Sequence, residues 1–298
     1  MARSLHIYLP QEWREKALAG QLRLFDHLAA ALPGWQLRFH AKAPLARWLS
    51  PLRPGYKLFH KSDPPERRGL SFRASYFYPF WQFEHRCHRW EFDVAGASFD
   101  PAGVPAKPAA QLLQRLKRKL PGAGPIREQG FIFVPLQGRL LSHRSFQSMS
   151  PVQMIEATLA HDPRPIRATL HPLERYSDAE RRALAELEAR HPRFQLSKTD
   201  SGSLLRQCDL VVTQNSALAF AGFVAAKRAI LFAQSDCHHI AGSVPRDGVA
   251  AAFASLQEPP PDFAGYLFWF LRQNCVDMAA KDAPAQLRAR IGALGWPV

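Results

Sequence analysis

His171-Pro172, in "IRATLHPLE", and Asn215-Ser216, in "DLVVTQNSALAF", each stand where a short apolar run gives way to a helix-like pattern. The first pairs an ionisable ring with a residue that fixes a turn. An imidazole N–H donates to a phosphate oxygen, and the phosphate in turn favours the charged ring. The second pair opens a helix, where unpaired backbone N–H groups and the helix dipole favour an anion and a serine hydroxyl adds a donor. Two further apolar runs end in polar groups: Gln137, Gly138 and Arg139 follow "FIFVP", and Gln234, Ser235 and Asp236 follow "AILFA". Four such exits within one segment suit a phosphorylated ligand. Each also has a plain structural reading, since Asn215 or Ser216 makes a good helix N-cap and His-Pro a good turn.

The elements able to bring such exits side by side are the strands of a parallel sheet, whose carboxyl ends collect ligands. The segment 126–262 has the matching alternation of strand and helix. Strands are expected at 131–135, 166–170, 194–197, 209–214 and 229–234. Ser150, Pro151 and Gln153 open one helix as a capping box, and Ser177 with Glu180 opens another. "ALAFAGFVAAK" (217–227) is apolar all round and therefore a buried helix. Towards the amino terminus, "LHIYLP", "WQLRFHA" and "YKLFHK" read as strands, with one helix over 14–32 after the first. The basic, Pro-Gly-rich stretch 101–125 reads as a linker, and the tail as two closing helices. The expected domains are 1–125, 126–262 and a closing 263–298.

The chain has 298 residues, 47% of them hydrophobic, which supports real cores rather than disorder. Its 39 Lys+Arg against 25 Asp+Glu give a net charge of +14, favouring an anionic partner. Cys87, Cys208, Cys237 and Cys275 are scattered without a C-x-x-C pair, so neither a disulfide framework nor zinc is expected and a reducing compartment fits. His85 and His88 are three apart but read as structural. "MARSLHIYLPQEW" reaches proline and charge too soon for a signal-peptide core, and "DFAGYLFWFLRQ" is too short to span a bilayer. The expected location is the cytoplasm, with a peripheral contact at the inner membrane face or an export machine through the basic run "QRLKRKL" (114–120).

Taken together, "FVPLQGRLLSHRS", "IRATLHPLE" and "CDLVVTQNSALAFAGFVAAKRAILFAQ" resemble the C-terminal half of the capsular polysaccharide biosynthesis family, over about 131–240. That family includes bacterial Kdo transferases and related CMP-sugar transferases of the glycosyltransferase-B type. The resemblance implies an α/β fold of two Rossmann-like domains facing across a cleft, the C-terminal one holding the donor. It implies that His171 with Pro172 and Asn215 with Ser216 meet the cytidine and phosphate of a CMP-linked sugar; Gln137, Gly138 and Arg139, at the exit of the first strand, are expected to bind the donor beside them. The sequence departs from the family pattern at Ala221 and Gly222, where a glutamate followed by alanine is frequent, so no ribose contact is carried over there. "AQSDCHHIAGS" also lacks the family's aromatic-and-glycine ending.

The same resemblance calls for an inverting transfer without cofactor or metal, the CMP-sugar being the donor substrate. A general base must then take the acceptor's hydroxyl proton. "RASYFYPFWQFEHRCHRWEFD" (73–93) is the densest candidate region. Tyr76, Trp81 and Trp90 offer faces to a sugar ring, Arg86 offers a partner for carboxylate or phosphate, and Glu84, then Asp93, is the candidate base. An aromatic core packet with a charged rim is the competing reading of this stretch. The expected partners are a nucleotide sugar and a glycan acceptor, an acidic surface polysaccharide or related glycoconjugate, and not nucleic acid. Two alternatives stay open: a basic non-enzymatic α/β protein binding nucleic acid or acidic glycan, and a transferase-like chain whose activity has decayed.

Overall fold

The apolar run after Arg3 forms β1 (Ser4–Leu9), and four more strands follow it: β2 (Gln36–Ala41), β3 (Tyr56–His60), β4 (Gly69–Ala74) and β5 (Phe80–Glu84). Next come β6 (Ile132–Pro135), β7 (Ile166–Thr169), β8 (Phe194–Leu196), β9 (Leu210–Thr213), β10 (Arg228–Leu231), β11 (Gly242–Ser243) and β12 (Val276–Asp277). The computed structural model describes residues 3–298. They divide into two units: one runs up to Ser98 and resumes at Trp269–Val298, and the other is Phe99–Phe268.

The first unit holds a six-stranded sheet in the order β12-β5-β4-β3-β1-β2. β1 to β4 are parallel, while β5 runs antiparallel to β4 and β12 antiparallel to β5. Leu5, Ile7 and Leu9 of β1 pack with Leu58, Leu70, Phe72 and Phe83 of the neighbouring strands. Helices Arg23–Ala31 and Ala283–Ala293 cover that face through Leu24, Leu28, Leu287 and Ile291. The single helix expected over 14–32 is two, Gln11–Leu18 and Arg23–Ala31. Gly20, at φ +66°, ends the first by taking the left-handed conformation that other residues resist. The tail also differs from two plain helices. Phe263–Phe268 continues into a π-helical turn, Trp269–Gln273, and the chain then lays β12 on the sheet edge before its final helix.

The second unit is a fully parallel six-stranded sheet, β11-β10-β9-β6-β7-β8. Ile132, Val134, Ala168, Val212 and Ile230 are buried on one face against helix Pro151–His161. Both capping boxes form: Ser150 with Gln153 and Ser177 with Glu180 each exchange side-chain and backbone bonds. The stretch 120–125 is not a free linker. The Arg206 guanidinium donates to the carbonyls of Leu120, Pro121 and Gly124 at 3.1, 3.0 and 3.0 Å. Gly122 lies so close to Gly202 that a Cβ on it would meet that backbone at 2.2 Å. This stapling ties residues 101–125 to the second unit, and the boundary expected at 125 falls at 98 instead.

Candidate functional site

In each sheet the strand order reverses at one place, and neighbouring helices leave opposite faces there, opening a crevice at the carboxyl ends. In the second unit the reversal lies between β6 and β9. The Thr213 hydroxyl donates to the Pro135 carbonyl at 3.3 Å, joining the two strands just below their exits. Gln137, Gly138 and Arg139 leave β6 here, and Asn215 and Ser216 leave β9. The fold therefore brings two of the expected groups to one switch point, with β7 and its His171 next to β6.

Each exit is locally constrained. Arg139 takes φ +63°, which turns the chain sharply after the strand. The Glu174 carboxylate lies over Gly138, where a Cβ would come within 2.4 Å of Oε2. The His171-Pro172 turn closes by a Glu174 N–H bond to the His171 carbonyl, 3.2 Å, and the His171 N–H donates to the Tyr176 hydroxyl, 2.9 Å. The Leu173 N–H donates to His171 Nδ1 at 3.2 Å. That bond makes Nδ1 the acceptor, so a neutral ring carries its proton on Nε2 and presents a donor from an exposed side chain. Ser216 caps helix Ala217–Val224 by accepting from Leu218 N, and Asn215 Nδ2 donates to the Gln234 carbonyl at 3.2 Å. The loop after β6 returns beside β10, where Phe146 and Phe232 carbonyls accept from Gln234 and Ser148. The arrangement presents hydrogen-bond donors above strand ends, the chemistry of an anion or nucleotide cradle.

The acceptor-side residues are dispersed. Trp81 is 6% exposed and belongs to the core, edge-on to Trp13 and stacked near Phe72, so it has no face to offer a sugar. Tyr76 lies under the Arg89 guanidinium, 4.0 Å from its ring, and Trp90 stacks on His88. Arg86 is exposed.

Glu84 and Asp93 do meet, through Arg290: its guanidinium reaches Glu84 Oε2 and Asp93 Oδ2, both at 2.8 Å. Glu84 is 3% exposed and beside a cavity of about 280 Å³ lined also by Arg272, Asn274 and Gln286. Burial pushes its carboxyl up to about 7; Arg290 opposes that shift and Asp93 adds to it. Its place does not suit the base's task. β5 is antiparallel, with Glu84 opposite Ser71, so Glu84 sits towards the amino ends of β1 to β4, away from their exits.

Sequence reasoning passed over the switch point of the first sheet, between β1 and β3. Trp13, just beyond β1, stacks on His60 at the end of β3, 4.7 Å between centroids. Burial, together with Lys61, Lys42 and Arg73, pushes His60 down to about 4, leaving it neutral at pH 7. Lys42 Nζ donates to the Lys61 carbonyl at 3.2 Å, crossing the end of β1. Lys61 N–H bonds the Phe72 carbonyl, which sets Lys61 beside Arg73 at the end of β4. Burial lowers the Lys42 and Lys61 ammonium groups, and their cationic neighbours lower Lys61 further. Glu12, paired with Lys16, follows β1, and Asp63, which accepts from the Cys87 N–H, follows β3. The available signal was the pair of strand ends "YLPQEW" and "FHKSD", read there as strands only.

Asp63, Cys87 and His88 place one ligand atom each within 4.8 Å of one another, the one such group among the described residues. Their surroundings oppose a dication: burial and the Asp63 charge push the Cys87 thiol up to about 11, and Lys42 and Arg73 stand close by.

No family model and no curated protein matches the sequence. Among solved structures, the chain is similar to the β-Kdo 2,7-transferase of Thermosulfurimonas dismutans KpsC, with a TM-score of 0.53 and 12% identity over 99% of this chain and 100% of that one. It is similar also to the β-Kdo 2,4-transferase of the same source, TM-score 0.46, 11% identity, 89% of each chain. A Staphylococcus aureus MnaA–UDP co-structure matches at TM-score 0.41 and 10% identity, over 97% and 96%. The first likeness shows a shared fold: this is an α/β chain of glycosyltransferase-B-like architecture.

Proposed function

We propose that the chain is a glycosyltransferase that takes a sugar from a nucleotide-linked donor, and that the donor is a CMP-linked acidic sugar of the Kdo kind. The observation carrying this reading is His171 at the mouth of β7, the strand next to the β6/β9 switch point, with its Nδ1 bonded so that Nε2 is left as a donor. The shared fold with a structure titled as a Kdo transferase supports the donor class.

In this reading the donor's phosphate lies against His171 and the head of helix Ala217–Val224, and these donors strengthen as the leaving phosphate gains charge. Gly138 and Arg139 let the backbone approach the nucleotide, and Asn215 holds the β9 and β10 exits together. Such stabilisation supports inverting transfer without a metal. The acceptor lies at the β1/β3 switch point, on the Trp13–His60 pair and among Lys42, Lys61 and Arg73, which suit a glycan bearing carboxylate or phosphate groups. Glu12 or Asp63, at that edge, takes the role of base in preference to Glu84, which Arg290 holds elsewhere.

Calorimetric titration of CMP, CDP, UDP and GDP into the wild type and His171→Ala tests the donor site. The expected result is selective CMP binding that weakens about tenfold or more in the variant, the loss of a charge-assisted hydrogen bond. Tighter UDP or GDP binding would sink the CMP assignment. Binding of nucleic acid with no response to any nucleotide would sink the transferase reading.

A further inference from the structure

The acid-free stretch that follows the first helices carries an apolar face that the described residues leave exposed. Residues 27–62 contain no Asp or Glu but six Lys or Arg. Within them, helix Pro44–Trp48 and the 3-10 turn Ser50–Leu52 leave Leu45, Trp48 and Leu52 exposed by 66%, 75% and 79%. Their spacing puts all three on one side of a helical path. Large apolar groups exposed at this level are few among the described residues, and here three stand together in sequence.

The segment is not a loose loop. Ser50 is fully buried and its hydroxyl donates to the Arg47 carbonyl at 2.7 Å, and Arg47 Nε donates to the Asp63 carbonyl at 2.9 Å. Arg53 Nη1 bonds the Tyr8 hydroxyl at 3.2 Å. The backbone is thus anchored to the sheet while its apolar side chains face outward. Arg38, Lys42, Arg47, Arg53 and Lys61 flank them in the sequence.

We propose that the segment 44–52 is an interfacial anchor that docks the first unit on an anionic lipid bilayer. Tryptophan and leucine enter the boundary between headgroups and acyl chains, and the flanking cations meet the headgroups. Charge complementarity selects this occupant: the six cations of residues 27–62 outweigh the adjoining Asp63, and a chain with net charge +14 repels a second copy of itself. The basic run 114–120 lacks the apolar half of such a device. Leu112, Leu116 and Leu120 are buried inward, and Gln111, Gln114 and Arg115 face out. The anchor follows β2 directly, on the same edge as Lys42 and Lys61, so it would hold a membrane-borne glycan acceptor near the strand ends proposed to receive it.

Flotation with phosphatidylcholine vesicles containing about 30% phosphatidylglycerol, against pure phosphatidylcholine, is the test. Wild type is expected to float with the anionic vesicles only, less so at high salt. Trp48→Ser with Leu52→Ser should lower partitioning about tenfold, while Trp48→Phe should retain it. An unchanged melting profile and CMP titration in the double variant would show an intact chain. Equal flotation of wild type and double variant would overturn the proposal. So would a wild type that stays with neither vesicle, or a dimer in sedimentation that the double variant abolishes.

Discussion

At the scale of single residues, Glu84 shows how a side chain of catalytic type is put to structural use. Its carboxyl and that of Asp93 share one guanidinium, which joins β5 to the final helix, Ala283–Ala293. The folded chain holds the Glu84 proton more tightly than an unfolded chain does, with a folded value of about 7 against an ordinary 4.5. The associated stability is full below the ordinary carboxylate range and drains away as pH rises from about 4.5 through about 7. The amount is on the order of 3 kcal/mol. Urea titrations from pH 4.5 to 8 should show that slope in the wild type and lose it in Glu84→Gln. An identical slope in both proteins would show that Glu84 titrates as in the unfolded chain. "QFEHRCHRWEFD" reads equally well as an acid–base cluster or as a charged rim. Only the antiparallel direction of β5 separates the two, and direction is a property of pairing rather than composition.

At the scale of elements, local rules carried the second unit far. The two capping boxes and the apolar runs that become β6, β7, β9 and β10 are short-range signals, and each formed where the residues placed it. The strand exits followed with them, and in a parallel sheet the end of a strand is the place where ligands collect. In the first unit the deciding interactions are long-range. β12 has two residues, too few for a periodicity, and exists because β5 offers it an edge. Trp13 and His60 stack across β1 and β3 although 47 residues separate them in sequence. The stretch 120–125 misled for the same reason: Pro and Gly mark it as a linker, but Arg206 gathers its carbonyls. Arg206→Ala should cost the second unit about 2 kcal/mol, the loss of several charge-assisted bonds. Denaturant unfolding would measure it, and a change within error would make the staple incidental.

At the scale of the whole molecule, the balance of charge and thiols sets its behaviour in solution. No helix among the described residues is long and apolar enough to cross a membrane. None of the four cysteines, all among the described residues, is in a disulfide; Cys208 and Cys237 are buried, and burial pushes the Cys208 thiol up to about 12. Thiolates do the reacting, so such groups are slow. A thiol-exchange reagent at pH 7 should label the native chain slowly and all four cysteines at once after unfolding in urea. Rapid native labelling would mean that the cores open readily. The excess of cations brings the same solution consequence whichever partner is used: encounter with any polyanion is quick and sensitive to salt.

The first unit is assembled from two distant pieces of chain, and the second is wholly contained between them. This gives the two units different histories during synthesis. Once Phe268 has emerged, the second unit has every residue it needs, whereas the sheet begun at β1 still lacks β12 and the helix bearing Leu287 and Ile291. The earlier-begun unit is therefore the later-finished one, and its half-covered sheet must wait on the ribosome for its last strand and lid. Any stop codon or protease cut between Phe268 and Val298 would spare the nascent second unit and strand the other. The same nesting makes 99–268 the natural fragment to express alone.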